Sequence, residues 1–88
     1  MEVKILKESE KEILIEIDES ETFANMLREE LWNVGVLEAA FIKEHPEVAK
    51  TKLWIKAENP REKLKKAIDN LIEKLEKLKE NYLLAIRK

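Results

Sequence analysis

From Asn59 to Lys88 the chain reads NPREKLKKAIDNLIEKLEKLKENYLLAIRK, with no glycine and no proline after Pro60. Asn59 suits a helix cap, Pro60 the first helical position, and Glu62 completes a capping-box pattern. The spacing predicts one helix of ~28 residues, about 42 Å long. Within it Leu64, Ile68, Leu71, Leu75, Leu78, Tyr82 and Ala85 recur at alternating intervals of four and three, which is a heptad seam. Strands of ~6 residues span only ~20 Å, so a small sheet covers the first half of such a helix and the second half overhangs. Leu78, Tyr82, Leu83, Leu84 and Ile86 crowd that second half. Burying each contributes ~1.5–3 kcal/mol, and together they exceed the apolar patch that soluble monomers usually expose. The expectation is an interface with another chain, carried by Leu71, Leu75, Leu78, Tyr82, Leu83 and Ile86. The competing reading is a helix that folds back or frays, its seam serving only as core.

The residues before Asn59 predict the sheet and a shorter helix. Glu2–Leu6 and Glu12–Ile17 read as two antiparallel strands, Ile13, Ile15 and Ile17 facing one way and Glu12 and Glu16 the other. The polar Lys7–Lys11 segment connects them. A helix follows over Thr22–Asn33, with Phe23, Ala24, Leu27, Leu31 and Val34 on one face. Ser20 or Thr22 is its expected N-cap, and Gly35, the single glycine of the chain, sits where a left-handed residue ends a helix. Val36–Lys43 reads as a third strand, broken by Pro46, and Thr51–Ala57 as a fourth, with Leu53, Ile55 and Ala57 opposite Lys52, Trp54 and Lys56. The order β-β-α-β-β-α defines an α+β two-layer sandwich, with a four-stranded sheet carrying a short helix and a long C-terminal helix on one face. No linker or repeat divides residues 1–88, which are expected to form a single domain.

Composition removes most other functions. A chain of 88 residues buries only ~60% of its unfolded surface, so a staple or a partner is needed. It has no cysteine and one histidine, which leaves no disulfide, no thiolate site and no zinc set of histidines. No cofactor or metal is expected. Its 17 basic and 19 acidic residues are interspersed, for a net charge of −2, so direct nucleic-acid or membrane binding is not expected. No apolar run is long enough to span a bilayer and no signal-peptide pattern is present, which predicts a soluble, cytoplasmic protein. His45 has no serine, cysteine or polarised carboxylate set around it, and reads as a turn residue rather than a general base. An enzyme is therefore not expected. Trp32 lies about 180° around the short helix from Phe23, as a partner anchor or a simple edge residue. Trp54 either stacks on nucleic-acid bases or covers the second sheet face beside lysine stems, the latter fitting the balanced charge better.

Three motifs in order carry a family resemblance. ESETFANMLR (Glu19–Arg28) is similar to the signature of archaeal RNA polymerase subunit L, a relative of the eukaryotic eleventh polymerase-II subunit and of the bacterial alpha-subunit dimerisation domain. Glu19, Thr22, Phe23, Ala24, Asn25, Leu27 and Arg28 match it position by position. AAFIKEHP (Ala39–Pro46) resembles the family's strand ending in His-Pro, and PREKLKKAI (Pro60–Ile68) its final helix start. Asp18 stands where the family usually has glycine and Glu21 where it has histidine. The resemblance implies an RNA polymerase dimerisation-domain-like fold. It also implies a non-catalytic subunit that forms a heterodimer with the D-type polymerase subunit and then joins the larger ones. It makes Thr22, Asn25 and Arg28 candidates for orienting polar contacts at the partner surface, and Phe23 and Leu27 for packing anchors. The alternative is an autonomous α+β domain, natural or designed, that homodimerises through the same helix.

Overall fold

The chain is described from a computed structural model, which covers residues 3–17, 21–42 and 51–87. The elements are β1 (Val3–Glu8), β2 (Glu12–Ile17), α1 (Glu21–Asn33), β3 (Glu38–Ile42), β4 (Thr51–Lys56) and α2 (Pro60–Ile86). The strands form one antiparallel sheet in the order β1-β2-β4-β3. The chain therefore leaves β2, crosses over β4 through α1, and returns at the far edge as β3. The α+β sandwich expected from the sequence is the observed architecture.

Register explains which side chains are buried. Ile13 pairs with Ile55, which pairs with Ala39; Ile15 pairs with Leu53, which pairs with Phe41. Directly opposed residues share a face, so these two rows floor the core beneath the helices. Ala24, Leu27 and Leu31 of α1 and Leu64, Ala67 and Leu71 of α2 close it from above, all buried. The other face carries Leu14, Trp54 and Ala40 in one row, between Glu16–Lys52–Ile42 and Glu12–Lys56–Glu38. Trp54 does point away from Leu53 and Ile55, and its indole N–H donates to Glu12 Oε1 at 3.1 Å.

Several boundaries differ from the sequence expectation for identifiable reasons. β1 extends through Glu8 because a bulge between Ile5 and Lys7 realigns it with β2, and an extra residue in one strand carries no hydrophobic signature. The turn is correspondingly shorter: the Ser9 N–H donates to the Glu12 carbonyl at 2.8 Å, and the Glu12 N–H to Ser9 Oγ at 3.2 Å. Thr22 lies inside α1 rather than at its cap; Ser20 falls outside the described residues, as do Asp18, Glu19, His45 and Pro46. Asn59 occupies the cap position of α2, but with φ 52° and no side-chain cap bond. Its backbone carbonyl instead accepts from Lys63 N–H at 3.1 Å. Asparagine tolerates left-handed geometry, and two longer-range ties hold this corner. Arg61 grips Glu8 with two bonds of 2.8 and 2.6 Å, and Lys11 pairs with Glu58.

Gly35 ends α1 as expected, with φ +88°. Its N–H bonds to the Trp32 carbonyl, and the Val36 N–H reaches back to Leu31, the paired pattern of a Schellman turn. Lys63 Nζ donates to the Val34 carbonyl at 2.9 Å, so α2 also caps α1. Farther along α2, Lys74 pairs with Glu30. A later residue of α2 meets an earlier residue of α1, so the two helices run antiparallel.

Candidate subunit interface on the long helix

α2 keeps one apolar face along its whole length, and that face changes environment partway. Leu64, Ala67 and Leu71 are buried against the sheet and α1. Leu75 is half-buried. Beyond it the same stripe is open: Leu78 is 65%, Tyr82 64% and Ile86 59% exposed. Nothing in the helix breaks at this transition. α2 is continuous for 27 residues, about 40 Å, while the strands have five or six residues each. The longest axis of the molecule is accordingly 49 Å against 32 and 16 Å for the others. The alternative of a tail that folds back onto the domain is not what the fold shows.

The exposed set widens around the seam. Ile72 and Leu83 are exposed on one shoulder of it, at ~100° per residue from the Leu78–Tyr82 line. Leu84 is also exposed but points roughly to the opposite side, so it does not belong to the same surface. Glu73, Glu76, Lys77 and Glu80 lie on the back of the helix, Lys77 paired with Glu73 at 3.8 Å, whereas Lys74 and Lys79 occupy positions that border the seam.

The twelve residues expected at a partner surface fall into three groups. Leu75, Leu78, Tyr82 and Ile86 form the continuous exposed or half-exposed stripe, with Leu71 buried at its inner end and Leu83 exposed to one side of it. Thr22, Asn25 and Trp32 are exposed on the face of α1 that looks away from the core. Phe23 and Leu27 pack into the core, Leu27 completely. Arg28 is half-buried and engaged within the chain. Its Nε–H donates to the Ala39 carbonyl of edge strand β3 at 2.9 Å, and its guanidinium lies 5.3 Å from the centre of the Phe41 ring. Sequence reasoning does not find this contact, nor the burial of Glu30 at 5% exposure beneath Lys74. A glutamate next to an apolar stripe has no sequence mark that says it is covered.

The electrostatics are those of a scaffold. The Glu8 carboxylate is held below its ordinary value of 4.5 chiefly by the hydrogen bonds from Arg61, which outweigh an opposing cost of desolvation, and the charge of Arg61 adds to the lowering. Among the described residues, no group of three or more His, Cys, Asp or Glu side chains is placed to hold a metal ion. No buried side-chain polar atom among them lacks a hydrogen-bond partner. No helix among the described residues is long and apolar enough to cross a membrane. An open groove of about 560 Å³ on the outer sheet face is lined by Lys7, Glu12, Leu14, Ile42 and Trp54, among others. Glu8 and Ser9 line it too, and the Ser9 hydroxyl is turned to the Glu12 backbone carbonyl at 3.4 Å.

A ββαββα sheet layer with an overhanging apolar helix is the architecture of a dimerisation module. Comparison with known proteins says which one. Residues 11–81 match the family described as the RNA polymerase Rpb3/Rpb11 dimerisation domain, and the chain belongs to that family. Its fold is similar to the crystal structure of DNA-directed RNA polymerase subunit L from Thermoplasma acidophilum. The TM-score is 0.77 at 20% identity, over 98% of this chain and 89% of that one. No curated protein sequence matches the chain.

Proposed function

We propose that this chain is a non-catalytic assembly subunit of DNA-directed RNA polymerase. In this reading it pairs with a D-type subunit through the exposed half of the α2 seam, and the heterodimer is the cytoplasmic platform on which the larger subunits gather. The observation that carries it is the passage of one unbroken apolar stripe from core at Leu71 to solvent at Leu78 and Tyr82. A helix stable enough to continue past its own domain, with large side chains on the same face, is built to be covered. Family membership supports the choice of partner, because a dimerisation domain in these subunits meets another polymerase subunit. The domain does no chemistry itself in this reading; it contributes shape and a surface.

Co-expression with a D-type subunit tests it. The expected result is a 1:1 complex that buries ~2,000 Å² or more, as obligate interfaces do. Leu75→Glu combined with Leu78→Glu should abolish it while the isolated chain stays folded. Retention of full affinity by that double variant would refute the assignment of the surface.

A further inference from the structure

We infer that the edge of β1 is a docking site for an extended segment of another protein, which adds to the sheet as a further strand. The segment it fits has an apolar residue beside Ile5 and acidic residues beside Lys4 and Lys7. This surface lies apart from the α2 seam and goes beyond its pairing role.

The two edges of the sheet differ in what they leave open. The backbone groups of successive residues in a strand point alternately to its two sides. The Glu12 carbonyl accepts from Ser9 N–H, and the Lys11 carbonyl from Ala57 N–H. In β2, therefore, Glu12, Leu14 and Glu16 turn to β1, and Ile13, Ile15 and Ile17 turn to β4. Register carries this alternation through the sheet. β3 bonds β4 through Glu38, Ala40 and Ile42 and turns Ala39 and Phe41 outward. β1 bonds β2 through Lys4 and Lys7 and turns Val3 and Ile5 outward.

On the β3 edge, Ala39 is already engaged. Its N–H donates to Glu38 Oε1 at 3.0 Å, and its carbonyl accepts from Arg28 Nε at 2.9 Å. These two side chains take the bonds an added strand would make. Among the described residues, no side chain does the same at Val3 or Ile5, so β1 is the edge with a ladder to offer.

The side chains along β1 define what fits there. Ile5 ends the core-facing row of Ile15, Leu53 and Phe41. Ile15 and Leu53 are fully buried, but Ile5 is 39% exposed. An apolar residue on an added strand would continue the row and cover it. On the outer face Lys4 and Lys7 are exposed, and the carboxylate next to them in β1, Glu8, is already held by Arg61. Lysines commonly guard an open edge, but opposite acidic residues they form favourable cross-strand pairs. Main-chain pairing with alternate side-chain contacts is how sheet edges recognise extended peptides.

A dye-labelled peptide of alternating valine and glutamate is the probe, titrated into the full chain and read by fluorescence anisotropy. It should bind one per chain and slow amide exchange at Val3 and Ile5 but not at Phe41. The same peptide N-methylated at every backbone nitrogen should bind at least about tenfold more weakly, the worth of one well-made hydrogen bond. Lys4→Glu combined with Lys7→Glu, both exposed changes, should reverse the preference toward a valine–lysine peptide. Leu78→Glu should leave binding unchanged, which separates this site from the α2 seam. Absence of binding, equal binding of the methylated peptide, or protection at Phe41 instead of Val3 and Ile5 overturns the proposal. Binding lost in Leu78→Glu would assign the peptide to the seam and overturn it equally.

Discussion

Leu71 and Leu78 occupy equivalent positions on the same face of α2, yet Leu71 is 2% exposed and Leu78 is 65% exposed. The first is core of this chain; the second is core of nothing within it. Leu71→Ala should lower the stability of the isolated chain by ~2–5 kcal/mol, as removal of buried methyl groups does. Leu78→Ala should change it by less than ~0.5 kcal/mol, the usual range for surface substitutions. Urea unfolding of the two variants checks this directly. Losses of similar size would mean that the end of α2 is already covered in the free chain. Leu84→Ala is the useful control, because Leu84 is exposed on the other side of the helix and should affect neither stability nor pairing.

Arg28 and Ala39 are joined at the open edge of the sheet. The Arg28 guanidinium occupies a carbonyl of β3, which is an edge strand, and lies against Phe41. A hydrogen bond from a charged group contributes ~1.5–3 kcal/mol, and an exposed cation–π contact ~0.5–1 kcal/mol. Arg28→Ala should therefore destabilise the chain by about 1–3 kcal/mol. Lysine should restore less than half of this, since it lacks the planar fork that serves carbonyl and ring together. Removing the side chain also frees part of an edge that can recruit other strands, so light scattering on warming should rise earlier in Arg28→Ala. A variant that melts and scatters like the parent would reduce Arg28 to a bystander within the fold, leaving it available for a partner.

What can be read from the sequence divides along physical lines. Elements whose burial pattern is periodic are legible: the Ile13, Ile15, Ile17 alternation, the Leu53, Ile55, Ala57 alternation, and the heptad seam of α2. Gly35 is legible because a left-handed position leaves few other choices. The bulge in β1 is not, because its cause is pairing across the sheet rather than local preference. The cap of α2 escapes local reading for a similar reason. Arg61–Glu8 and Lys11–Glu58 hold that corner from a distance, so Asn59 is free to use its backbone tolerance instead of its side chain. Strand order is also hidden, since the return of β3 beside β4 depends on where α1 lands. For the surface, periodicity marks the seam on α2, and the signature around Asn25 supplies residue names. Exposure separates those names: Thr22, Asn25 and Trp32 face outward, whereas Leu27 does not.

Gly35 gives a sharper test of local geometry than any apolar residue. Its φ of +88° is unfavourable for residues with a Cβ, but space is not limiting; the nearest neighbour a Cβ would meet is Lys63 Nζ at 3.8 Å. Any cost of Gly35→Ala is then backbone strain rather than a clash. About 1–2 kcal/mol is expected, measured by thermal or urea unfolding, while Gly35→Asn should cost less because asparagine tolerates the left-handed region. If alanine and asparagine behaved alike, the Schellman turn would have relaxed, and the bonds from Gly35 and Val36 would show faster hydrogen exchange.

Glu8 supplies the pH dependence. Two hydrogen bonds from Arg61 favour its ionised form, so its folded pKa lies below the ordinary 4.5. A depressed acid stabilises the fold fully above its unfolded pKa, and the contribution disappears as pH falls through the folded value. The pair joins the end of β1 to the first turn of α2, so acid should loosen that corner before it reaches the core rows at Ile13 and Ile15. Arg61→Gln should move the Glu8 titration up toward 4.5 and remove this part of the acid dependence; its cost is fully present at neutral pH, fades in acid, and is small throughout because both groups are exposed. Carboxyl carbon NMR titration of Glu8 in the parent and in Arg61→Gln reads the effect at its source. Coincident titrations at the ordinary value would show that the two side chains do not hold one another in solution, and that the entry of α2 is anchored by the Lys11–Glu58 and Lys63–Val34 contacts instead.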